Sequence, residues 1–288
     1  MIFWRILDNT VHPIQKVDKL GFEESEGLRI PDEYLQQKNF TVFRTSWGIG
    51  DWGVISVMPR LLKQKYPDCK VYIPSKNLIK KLFGIDTNIM YDIFNNNPYV
   101  DEFKDNIEGE IFHDHYRIYD NNNLNVPLVE QMLKFWQFEK TEYEDSQPEL
   151  YWSKEEKELG DKIIKKFIGD KEFGCLLISK RFGTQFGKYD KKSFINDNDK
   201  INNLLNNNKL PYFYWTYKPL NQFNFSLNSI LDMHNMSLRI QLYIKSKAKI
   251  NIGNQCGTNH CVVRYSNVYE VQRQSVLGHN FVKGENYL

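Results

Sequence analysis

Three short stretches of this chain carry residue types that could do chemistry. In the first, Gly48-Ile-Gly-Asp51, a carboxylate follows two glycines, after a β-rich run in which Thr41, Phe43 and Thr45 alternate with Val42 and Arg44. Glycine makes tight backbone geometry easy, so a strand is expected to end here and a helix to begin. A carboxylate at such a junction either accepts the first amides of the helix as an N-cap or takes a proton from a bound substrate. Spacing alone favours the cap.

The second stretch, Ser179 to Lys188, offers Lys180, Arg181 and Lys188, a hydroxyl at Thr184 and two glycines. Backbone amides and cations in such a loop can wrap a diphosphate, although a solvated basic loop is as common a reading. The third runs Ile252-Gly-Asn-Gln-Cys-Gly-Thr-Asn-His260. Gly257, Thr258, Asn259 and His260 fall where a helix N-terminus presents amides to an anion. His260 reads equally as a phosphate donor or as a hydrogen-bonded helix residue. The pair His113-Asp-His115 would share one face of a strand, but no third or fourth metal ligand stands at a recognisable spacing, and a structural role is favoured.

The elements that must hold these stretches alternate between strand and helix, the pattern of an α/β chain with parallel sheets. Val54–Tyr66 reads as a helix with an apolar stripe of Val54, Val57, Met58, Leu61 and Leu62, stopped by Pro67. Lys70–Pro74 reads as a strand and Leu78–Phe83 as a short helix ended by Gly84. Ile89–Tyr91 and Ile111–His113 are further candidate strands, and Val126–Phe138 an amphipathic helix. Ser153-Lys-Glu-Glu156 is a capping box that opens a helix to about Phe167. Beyond it, Phe173–Ser179, Tyr212–Trp215 and Ala248–Ile252 read as strands, with helices at Leu238–Lys245 and from about Thr258. Thr141–Leu150 is an acidic, aperiodic break, and a boundary near Ser146–Ser153 suggests a first domain over 38–150 and a second over 151–288. Residues 1–37 read as an N-terminal extension packed on the first domain.

Composition narrows the classes. The chain has 288 residues with 41% hydrophobic and 26% charged content, which is that of an ordinary globular protein. A net charge of +2 argues against a nucleic-acid-binding surface. No run approaches the roughly 18 apolar residues that span a bilayer, which leaves only a peripheral membrane contact open. The opening Met-Ile-Phe-Trp-Arg-Ile-Leu-Asp is charged too soon for a signal peptide, and a cytoplasmic location is expected. The four cysteines, Cys69, Cys175, Cys256 and Cys261, form no Cys-x-x-Cys and fit reduced, mostly buried thiols.

In their order these segments resemble the heptosyltransferase-type glycosyltransferases of glycosyltransferase family 9. The correspondence runs through Gly48-Ile-Gly-Asp51, Pro59 and Leu62-Lys-Gln-Lys-Tyr-Pro67, then Asn97-Pro-Tyr-Val-Asp101. It continues more loosely at Lys188-Tyr189 and closes on the stretch from Met236 to His260. The resemblance implies two Rossmann-like domains facing across a cleft (the GT-B type). It also implies inverting transfer of a sugar from a nucleotide-diphosphate donor to a hydroxyl of a glycan or glycolipid acceptor, with no metal cofactor. Asp51 would then be the general base on the acceptor-side loop of Gly48 and Gly50. Lys188, with Arg181 and Thr184, and the helix start at Gly257–His260 would neutralise the departing diphosphate. One departure stands out, since Gln255 replaces the family's acid beside the donor sugar and leaves the identity of that sugar open. A sugar-nucleotide epimerase on the same fold, or a non-catalytic nucleotide-sugar-binding module, would share these residues.

Overall fold

The computed structural model describes residues 2–7, 10–16, 39–43, 48–106, 110–113, 129–130, 133, 138–179, 191–223, 225, 227–254, 256–271 and 283–288. The chain divides into two compact units whose boundary in sequence falls between Tyr151 and Trp152. Near the N-terminus, Ile2–Leu7 (β1) and Thr10–Lys16 (β2) pair antiparallel as a two-stranded sheet of their own. The remainder of the expected 1–37 extension lies outside the described residues.

The first unit continues with Asn39–Phe43 (β3), Ile49–Val54 (α1), Met58–Lys65 (α2), Lys70–Pro74 (β4), Lys76–Phe83 (α3), Ile89–Phe94 (α4), Glu102–Lys104 (β5) and Glu110–His113 (β6). Its sheet is wholly parallel, in the order β5-β4-β3-β6. A parallel strand covered on both faces is buried at successive residues, and Phe40, Thr41, Val42 and Phe43 are all buried. Each fully buried Val, Ile or Leu side chain of such a core contributes about 2 kcal/mol through water exclusion. Trp52, completely buried, packs edge-on against Phe43 and Phe94 at centroid distances of 6.4 and 6.3 Å.

Two expectations are corrected here. The first helix does not open at Val54. It begins at Ile49 and runs through a 3-10 turn at Ile55–Val57 into α2. Gly50, which reads as a turn residue, is buried inside it together with Gly53. The segment Ile89–Phe94 is a helix and not a strand. Its Met90, Ile93 and Phe94 are buried, which is helical spacing. The expected helix at 126–138 is helical at its described positions 129, 130 and 133, with Val129 and Leu133 buried, and otherwise lies outside the described residues.

The stretch between 138 and 151 closes the first unit through polar ties. The Ser56 hydroxyl donates to the Gly53 carbonyl (2.6 Å) and accepts from the Glu149 amide (2.8 Å). The buried Glu149 carboxylate meets Arg60 Nε at 2.5 Å and the Tyr151 hydroxyl at 2.9 Å. A carboxylate removed from water needs such partners.

The second unit holds Lys154–Ile168 (α5), Gly174–Ile178 (β7), Lys191–Asn208 (α6), Pro211–Thr216 (β8), Asn228–Asp232 (β9), Leu238–Lys247 (α7), Ile250–Asn254 (β10), Gly257–His260 (α8), Asn267–Val271 (β11) and Glu285–Tyr287 (β12). The capping box is formed: Ser153 Oγ accepts from the Glu156 amide, and Glu156 accepts from the Ser153 amide. All six strands run parallel, in the order β12-β11-β10-β7-β8-β9. Strand alternation sorts the core onto the two faces. Leu176, Ile178, Ile250 and Ile252 pack with Ile201 and Leu205 of α6, whereas Cys175 and Phe213 pack with Ile168 of α5 and Ile240 and Ile244 of α7. Helices therefore cover both faces, and the α/β class with parallel sheets is as expected.

Candidate active site

With the strands of each unit counted in chain order, the first sheet reads 3-2-1-4 and the second 3-2-1-4-5-6. These are doubly wound orders. Such sheets take ligands outside the carboxyl ends of the strands, where the order reverses. The reversal lies between β3 and β6 in the first unit and between β7 and β10 in the second. The chain leaves β3, β7 and β10 at these points into the three stretches singled out for their chemistry.

In the first unit, Gly48 occupies the N-cap position in extended backbone (φ −77°, ψ 137°) and makes no side-chain cap bond. Asp51 is the third residue of α1, so it is not the N-cap. Its amide and that of Trp52 both donate to the Gly48 carbonyl, at 3.0 and 3.3 Å. The half-buried carboxylate folds back towards Gly48, where an added Cβ would lie 2.5 Å from Oδ2. The first-turn position also sets a negative charge against the positive end of the helix. Gly50, the residue before Asp51, is buried.

In the second unit, Asn254 spans the reversal. Its Oδ1 accepts from the Ser179 amide (2.8 Å) and its Nδ2 donates to Ser179 Oγ (2.9 Å), joining the ends of β10 and β7. Beside it, a side chain at Gly253 would strike the Leu177 carbonyl oxygen of β7, so only glycine permits this strand approach. Cys256 is the N-cap of α8, and Gly257 and Thr258 form the first turn, where amides have no intrahelical acceptor.

Asn259 and His260 are buried, and both side chains are engaged inside the unit. Asn259 Oδ1 accepts from Lys245 Nζ at 2.5 Å, and its Nδ2 donates to Glu270 Oε1 at 2.9 Å. His260 Nδ1 is paired with Glu285 Oε1. The Cys256 amide also donates to Glu270 Oε1, at 3.2 Å. Burial pushes the Glu270 carboxyl well above the carboxylate range; His260 opposes this and Glu285 adds to it. Burial likewise raises the thiols of Cys175, to about 12, and of Cys256 and Cys261, which keeps them protonated and unreactive. All four cysteines are free.

Arg181, Thr184, Lys188 and Gln255 lie outside the described residues, as does His115, the partner of His113. What the sequence did not disclose is the buried ionic group of Lys245, Glu270 and Glu285 beneath α8. A charge within the strand Asn-Val-Tyr-Glu-Val and a lysine within the helix from Leu238 were the available signals. No helix among the described residues is long and apolar enough to cross a membrane.

No protein-family model matches the sequence, and no curated protein matches it. Among solved structures, a glycosyl transferase family 9 protein from Veillonella parvula superimposes with a TM-score of 0.55 at 11% identity, over 87% of this chain and 86% of that one. The Escherichia coli ADP-heptose lps heptosyltransferase II gives a TM-score of 0.46 at 10% identity, over 87% and 90%. The first of these likenesses is one of fold: this chain is built as the family 9 glycosyltransferase from Veillonella is built.

Proposed function

We propose that the protein is an inverting glycosyltransferase that moves a sugar from a nucleotide-diphosphate-sugar donor to a hydroxyl of a glycan or glycolipid acceptor. The observation that carries the reading is Asp51, a half-buried carboxylate in the first turn of α1 beside the β3–β6 reversal, folded over a glycine. The Veillonella likeness and the order of the motifs support it. In the reaction the acceptor oxygen attacks the anomeric carbon from the face opposite the diphosphate. The bond from carbon to the diphosphate oxygen breaks, the electron pair leaves with the diphosphate, and Asp51 takes the acceptor proton.

Lys188, Arg181 and Thr184 and the amides of Gly257 and Thr258 are assigned to the diphosphate, whose growing charge they would offset without a metal in the transfer step. Asn259 and His260 serve this site from behind, since their side chains hold the start of α8 in place rather than face outward. Gln255 is assigned to the donor sugar.

The test begins with a thermal-shift screen of ADP-, GDP-, UDP-, CMP- and dTDP-sugars, because a bound donor raises the melting temperature. With the donor so found, Asp51→Asn is expected to lower transfer by 10²–10⁴-fold while keeping the donor-induced shift. Unchanged transfer overturns the base assignment. Conversion of the donor without any acceptor identifies an epimerase. A thermal shift with no turnover on any acceptor identifies a binding module.

A further inference from the structure

His260, Glu270 and Glu285 come from three separate elements of the second unit, α8, β11 and β12, and converge in its interior. One ligand-type atom from each lies within 4.8 Å of the others. Both carboxylates are removed from water: Glu270 is 0% exposed, and the Glu285 side chain is 0% exposed. Glu270 Oε1 is satisfied by the Cys256 amide and by Asn259, but Oε2 has no hydrogen-bond partner among the described residues. An ionised oxygen left in that state is costly, and buried carboxylates are normally paired or bound to metal.

Two carboxylates and one imidazole make up the cluster, and the Lys245 ammonium is bonded to Asn259 Oδ1. The neighbouring thiols have other engagements. Cys261 Sγ donates to the Gly257 carbonyl at 3.1 Å, and Cys256 Sγ lies 3.6 Å from Thr258 Oγ1.

We propose that His260, Glu270 and Glu285 hold a structural divalent transition-metal ion that fastens β12 and α8 to β11. One imidazole and two carboxylates form a donor set suited to zinc or manganese. Neighbouring ligands around a tetrahedral ion are about 3.4 Å apart for bonds of about 2.1 Å, so side-chain torsions must open the His260–Glu285 contact while the Glu270 oxygen stays within reach. The ion gives Oε2 of Glu270 the partner it lacks. It also anchors β12, a strand of only three residues at the sheet edge, which its backbone pairing alone would hold weakly. The inference stands apart from the transfer chemistry, because its readouts are metal content and stability.

Tag-free protein is stripped with EDTA, dialysed and titrated with zinc chloride and separately with manganese chloride. The bound metal is counted by elemental analysis, and the melting temperature is recorded at each addition. One ion per chain and a rise in melting temperature are expected. Glu270→Gln keeps the shape of the side chain and its acceptor for the Cys256 amide, so it should fold. It and Glu285→Gln should lose metal affinity by more than the ~10–100-fold that changes beyond the direct ligands produce. Cys256→Ser should bind as the parent does. Absence of stoichiometric metal, undiminished affinity in both glutamine variants, or loss of the ion from Cys256→Ser would each overturn the proposal, leaving a shared proton as the cluster's means of neutralisation.

Discussion

The carboxylate of Asp51 lies against the α-carbon of Gly48, close enough that a methyl group there would sit 2.5 Å from Oδ2. Gly48 is exposed and its backbone is extended, so the need for glycine comes from the space claimed by Asp51 and not from torsion.

Gly48→Ala therefore tests orientation separately from folding. The backbone angles accept alanine, and stability should change by less than about 1 kcal/mol. Asp51 must swing away, and a displacement of roughly 1 Å at a reacting group can cost ~10²-fold in rate. Steady-state transfer assays beside urea denaturation should show a fall in kcat with a nearly unchanged unfolding midpoint. A wild-type kcat would mean that the observed pose of Asp51 is not the working one.

Asn254→Ala removes both bonds to Ser179 across the β7–β10 reversal. About 1–3 kcal/mol of stability should go with them, and the donor KM should rise more than kcat falls. Asn254→Asp separates the causes. Its two oxygens can still accept from the Ser179 amide and hydroxyl, so most stability should return. A negative charge now faces the proposed diphosphate, so donor affinity should remain poor. Donor binding restored to the parent level in Asn254→Asp would place the diphosphate elsewhere.

Acid sensitivity should trace in part to Glu156. Its hydrogen bonds from Arg239, and then from the Ser153 amide, outweigh burial and hold the folded carboxyl below its ordinary value of 4.5. The unfolded chain then binds the more protons, so this contribution is present above about pH 5 and fades as pH falls through the folded value. Glu156→Gln should be less stable than the parent at neutral pH and should lose less on acidification. Urea midpoints at pH 7 and pH 4 measure the difference, and parallel declines in the two proteins would remove Glu156 from the account.

Local signals were legible in the sequence and tertiary ones were not. Ser153 and Glu156 announced their helix because a capping box is written within four residues, and the strands expected at 70–74 and 212–215 followed from β-branched and aromatic runs. The start of α1 was misread because Gly50 and Gly53 weigh against a helix interior. The burial of Trp52 between Phe43 and Phe94 overrides that preference, and no neighbour in sequence reveals it. Ile89–Tyr91 carries strand-forming residues, yet its helical burial depends on the sheet it covers. For the candidate site, the glycine turns and their order were visible. The inward turn of Asn259 and His260 was not, because their partners Lys245, Glu270 and Glu285 are scattered over forty positions of the chain.

The ties from Ser56 and Arg60 to Glu149 also set the smallest piece of the chain that can be cut out intact. Ending the first half after the residues of its sheet, at 113 or even at 138, would take Glu149 from Arg60 and Ser56 and expose the helical surface they seal. An excised N-terminal half must therefore run at least to Tyr151. Thirteen residues without regular periodicity, which look dispensable, are part of what such a fragment needs to hold its shape.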